Sequence, residues 1–103
     1  MGGSDLKKAK LSFIWAWADK HLKQVRGDYG DVKSKEACAL GAIEYYRSNG
    51  RRVDPAWHTW SNVSYETDID RFITKYKSSI SSLNDRKKWS FKTFAKKAKA
   101  IGL

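Results

Sequence analysis

The sequence predicts an all-α fold, a small single-domain bundle of four to five helices, and three observations carry that expectation. Apolar residues recur at i, i+3, i+4 and i+7 along several long stretches, the spacing of one buried face on a 3.6-residue helix. The seven glycines and single proline punctuate those stretches and are too sparse for the turn-dense pattern of a sandwich or barrel. No stretch of useful length alternates apolar and polar residues as a half-buried strand does. At 103 residues the chain holds one core, and 41% apolar with 14% aromatic residues is too rich for a disordered basic tail. Residues 1–4 read as a flexible start or the remnant of a tag, and residues 5–103 as the helical domain.

The first helix is expected over Asp5 to Arg26. Leu11, Ile14, Trp15, Ala18, Leu22 and Val25 share its buried face, Ser4 caps its start and Gly27 stops it. Phe13 and Trp17 lie off that stripe as an i, i+4 aromatic pair, either an extension of the core or a stacking surface beside Lys20. Asp31 or Ser34 then caps a second helix to about Asn49, with Ala39, Leu40, Ile43 and Tyr46 inward and Gly50 as its stop. Cys38 reads as a small buried hydrophobe on it, since a reactive thiol needs an electropositive, partly exposed setting.

Asp54-Pro55 is a helix-start signal, an acid at the N-cap followed by proline at the first helical position, and a short helix carrying Trp57 and Trp60 should follow. Ser64 or Thr67 caps the next helix, on which Ile69, Phe72, Ile73, Tyr76, Ile80 and Leu83 form one face. Its serine-rich end, Ser78 to Ser82, is poor in helix formers. Asn84-Asp85, or Ser90 after a short turn, starts the last helix, with Phe91, Phe94, Ala95, Ala98 and Ile101 inward and Gly102 at its end.

Charge is segregated along this frame. The formal +10 divides into +4 over residues 1–27, zero over 28–84 and +6 over 85–103. Clustered cations raise the local potential and capture phosphates by counterion release. The C-terminal cluster is the foremost binding candidate: Arg86, Lys87, Lys88, Lys92, Lys96, Lys97 and Lys99 surround Trp89 with no acid among them. A merely solvated helix face would intersperse carboxylates for i, i+4 support. Arg51 and Arg52 offer a second contact suited to bidentate phosphate recognition. A basic helix after a short turn also has the layout of a groove-reading helix, but lysines with Thr93 favour phosphates over base edges, so sequence specificity should be low.

These features lead to a small basic module that binds nucleic acid or a nucleoprotein. The rival is a protein-binding inhibitor or adaptor, docking on an acidic partner through Phe13, Trp17, Trp57 and Trp60. The two differ in whether the exposed aromatics lie beside Lys92, Lys96 and Lys99 or in a separate apolar patch. Attachment of the last helix to anionic lipid ranks below both, because its apolar face is also the face it must bury. No enzyme is expected: His21 and His58 lie far apart in sequence without a nucleophile motif, and Asp68 and Asp70 point to different helix faces. Neither a cofactor nor a metal is called for, since the lone Cys38 supplies no zinc-ligand spacing. The longest apolar run, Phe13 to Ala18, is too short to span a bilayer, and a reducing, cytoplasmic setting is expected.

Overall fold

The structure is a computed structural model that describes residues 9–54 and 65–103. Among these residues five helices, α1 (Leu11–His21), α2 (Ala39–Arg47), α3 (Tyr65–Tyr76), α4 (Ile80–Asp85) and α5 (Phe91–Ala100), surround one core. The domain is helix-rich but not strictly all-α. A three-stranded sheet stands between α1 and α2, formed by β1 (Lys23–Gln24), β2 (Gly30–Asp31) and β3 (Glu36–Ala37). The central β3 pairs parallel with β1 and antiparallel with β2, so that Gln24 and Gly30 both lie opposite Ala37.

That sheet cuts the first two expected helices short. α1 ends at His21 because Leu22 turns extended (φ −123°, ψ 150°), and beyond it the backbone bonds across the sheet, Lys23 N to Lys35 O at 2.9 Å and Val25 N to Ala37 O at 3.1 Å. Leu22 stays buried all the same, so the apolar pattern holds while the helix does not. α2 starts at Cys38, whose Sγ accepts from Gly41 N at 3.3 Å, whereas Asp31 caps a tight turn through Ser34 N at 2.9 Å. Gly30 is required where it stands: its φ is +127°, and a Cβ there would strike the Glu36 carbonyl oxygen and lie 2.6 Å from Ala37 Cα.

The single helix expected from Ile69 to Leu83 is two. Lys77 takes φ +54°, and Ser79 recaps the chain by accepting from Ser82 N at 3.1 Å, which starts α4. Ser90 rather than Asn84-Asp85 caps α5, accepting from Thr93 N at 3.2 Å. The expected caps at Ser4 and Ser64, and the short helix expected from Pro55 onward with Trp57, His58 and Trp60, lie outside the described residues.

Trp15 anchors the core. Fully buried, it packs on Phe94 of α5 at 4.8 Å and on Phe72 of α3 at 5.0 Å between ring centroids, and its indole N–H donates to Ala39 O at 2.9 Å. A polar hub stands beside this aromatic centre. Buried Asn84 accepts from Ala39 N (3.0 Å) and Gln24 Nε2 (2.7 Å) and donates to Val25 O (3.0 Å) and Asp85 Oδ1 (2.7 Å). Gln24 in turn donates to Trp89 O (2.7 Å) and accepts from Phe91 N (2.9 Å), tying β1 to the start of α5.

Candidate nucleic-acid interface

The register of α5 separates its two faces. Phe91, Phe94 and Ala98 are buried, Lys92, Lys96 and Lys99 are exposed along one outward flank, and exposed Lys97 lies on the other flank, beside Tyr76 and Trp89. None of these lysines pairs with a carboxylate among the described residues; the ion pairs there are Arg47–Asp68 at 3.8 Å and Arg52–Glu44 at 3.1 Å. Lys97 and Lys99 sit in the last turn, where the helix dipole favours cations. Lys92 has no such support. It occupies the first turn of α5, at the positive end of the dipole, where a cation is unfavourable and where no acid offsets it.

Packing of α1 against α5 joins the two basic ends of the chain. Ser12 N donates to Leu103 O at 3.1 Å, and Trp15 packs on Phe94 with the rings tilted by 39°. As a result Lys10, from the N-terminal segment, shares one groove of about 720 Å³ with Lys96 and Lys99. Ala9, Ala16, Ala95, Phe13 and Tyr46 provide apolar lining, and no acid lines the groove among the described residues. At the other end of α5, Arg26 reaches the basic turn, donating from Nε to Asn84 O at 3.0 Å and from Nη2 to Lys88 O at 3.2 Å. Arg86, Lys87 and Lys88 of that turn are exposed.

The aromatic candidates divide. Phe13 is 55% exposed and lies in the lysine-rimmed groove, its ring meeting Tyr46 edge-to-face at 5.9 Å and 74°. Trp17 is half-buried, between Tyr46 at 5.3 Å and His21, which stacks on it at 4.9 Å. Trp89 is half-buried as well: it precedes the Ser90 cap and packs on Phe94, four residues into α5, at 5.4 Å, the arrangement of a hydrophobic staple. Tyr76 meets its ring at 5.6 Å, and Lys97 Nζ lies 5.5 Å from the ring centre, a cation–π contact. Two more positions are committed to the fold or stand apart from it: Arg52 holds buried Glu44 through its Nε, and Arg51 is exposed.

Among the described residues no three His, Cys, Asp or Glu side chains gather to hold a metal ion, and no helix is long and apolar enough to cross a membrane. Burial pushes the Cys38 thiol and the Tyr46 phenol up from their usual values, and hydrogen bonds from Ser34 hold Asp31 down. Lys10 and Arg26 are the basic residues that pattern reading did not single out. The charge count of the N-terminal segment included both, but only the contact of α1 and β1 with the last helix shows where they go. Compared with protein-family models, curated proteins and solved structures, the chain gives no match.

Proposed function

We propose that this domain binds nucleic acid, with low sequence specificity, through a cationic surface that runs the length of α5 and continues onto the N-terminal segment. The observation that carries the proposal is the union of the two basic ends: Lys10 beside Lys96 and Lys99 at one end of α5, and Arg26 against the Lys88 turn at the other. Unpaired like charges brought together repel, and a polyanion relieves that repulsion while releasing its own counterions. Lys92 supports the same reading, because it is placed against the helix dipole with no compensating partner. Lysines contact phosphates as point charges and carry little base information.

Lys92→Glu separates binding from folding. An acid in the first turn should stabilise α5 by about 0.3–1 kcal/mol, yet it should weaken polyanion binding, and adding Lys96→Glu should weaken it further. Thermal melts and fluorescence anisotropy on the same samples read both effects. A folded double variant with unchanged affinity would move the site away from α5. The apolar lining around Phe13 favours a second reading, an acidic protein that inserts an apolar side chain there, which predicts tight binding to a protein and none to nucleic acid at low salt.

A further inference from the structure

Building on the nucleic-acid reading, we propose that the groove between α1 and α5 takes a single strand, whose bases stack on Phe13 while Lys10, Lys96 and Lys99 hold the adjoining phosphates. Phe13 is the one exposed large hydrophobic residue among the described residues, at 55% exposure, and it stands in the groove that these three lysines line. Its edge-to-face contact with Tyr46 uses at most one of its two faces. Tyr46 is itself 5% exposed and abuts Trp17, so Phe13 is backed by fixed rings and little side-chain freedom remains to be lost on binding.

Charge and shape select among polyanions. A duplex presents phosphates and base edges but keeps its base faces inside the stack, out of reach of a ring on a helix surface. A single strand exposes those faces, and stacking on an aromatic ring beside cations is tolerant of sequence because every base has a π-face. Among the described residues the groove has no Asn, Gln or Arg side chain of the kind that reads base edges, which fits stacking rather than hydrogen-bonded readout. Ala16 and Ala95 contribute only small side chains to its lining.

Anisotropy with labelled oligothymidine, oligouridine and a duplex of equal length tests this on the wild type, Phe13→Leu and Phe13→Ala, with far-UV circular dichroism to verify folding. The wild type should prefer single strands. Phe13→Ala should lose roughly 5- to 100-fold in single-strand affinity, Phe13→Leu should lose part of that, and duplex affinity should barely move. Photocrosslinking to a bromouridine-substituted oligonucleotide should label the peptide that contains Phe13. Equal affinity for single and double strands, with Phe13→Ala neutral, overturns the single-strand assignment and leaves the nucleic-acid reading standing. Absence of binding to all three polymers at low salt overturns the nucleic-acid reading itself, and this inference with it.

Discussion

Asn84→Ala should be the most damaging single truncation of a polar side chain in this domain. Asn84 is 0% exposed and bonds to two separate parts of the chain: the start of α2 through Ala39 N, and the end of β1 through Gln24 Nε2 and Val25 O. Truncation strands the fully buried Ala39 amide, for which the desolvation penalty is about 1–3 kcal/mol, and leaves the Val25 carbonyl without its donor at a similar order of cost. Gln24 keeps Trp89 O and Phe91 N, so its loss is smaller. The expected total is about 3–5 kcal/mol, in the upper tail for point substitutions and a large share of the ~5–15 kcal/mol that holds a domain together. Tm should fall by at least about 12 °C, at ~4–8 °C per kcal/mol for a domain of this size. Urea titration followed by Trp fluorescence measures the cost, and Gln24→Ala with the double variant gives the coupling through their shared hydrogen bond. A cost for Asn84→Ala below about 1 kcal/mol would refute the assignment of Asn84 as the hub, since one satisfied surface hydrogen bond contributes that much.

Three further outcomes are expected. Gly41→Ala should destabilise severely, because its Cβ would strike the Tyr29 carbonyl oxygen; Gly27→Ala, with open space around it and φ +81°, should cost only about 1–2 kcal/mol, and chemical denaturation of the pair checks the contrast. Cys38 should react slowly with a thiol reagent in the native state, since burial raises its pKa and keeps the thiolate scarce. The sign follows: a raised folded pKa contributes stability that is present below the unfolded thiol pKa and is lost as pH rises through the folded one, so the pH dependence of stability on the alkaline side should flatten in Cys38→Ala. Trp89→Ala should cost about 2–3 kcal/mol, under the range for a fully buried Trp because this one is half-buried, and thermal melts with 1 kcal/mol precision or better would reveal a purely superficial Trp89 as a loss near zero.

Most of the core was legible in the apolar spacing. Leu11, Ile14, Trp15, Ala18, Ile69, Phe72, Phe91, Phe94 and Ala98 all fall inside as the helical pattern requires. The helix ends were less legible, for reasons that lie outside any local window. α1 stops at His21 because Lys23 and Val25 find sheet partners more than ten residues away, and two-residue strands are too short to show alternation. α2 is capped by Cys38, a residue whose thiol is a weak acceptor and not among the favoured caps. The hub of Gln24 and Asn84 left no trace in sequence, since both look like ordinary surface amides until α4 and β1 are brought together. The cationic face of α5 was readable from spacing alone. Its extension to Lys10, and the placement of Phe13 beside Lys96 and Lys99, required the packing of α1 on α5.

The salt dependence of binding tests the central claim most directly. Affinity for a mixed-sequence single strand, measured from low to physiological salt, should fall linearly in log–log form with a slope of about −2 to −3, as three to four phosphate contacts from Lys10, Lys92, Lys96 and Lys99 require at ~0.7 per contact. Lys96→Glu with Lys99→Glu should flatten the slope as well as lower the affinity. A slope near zero, or no binding at low salt, contradicts the account and assigns the exposed lysines of α5 to solubility alone.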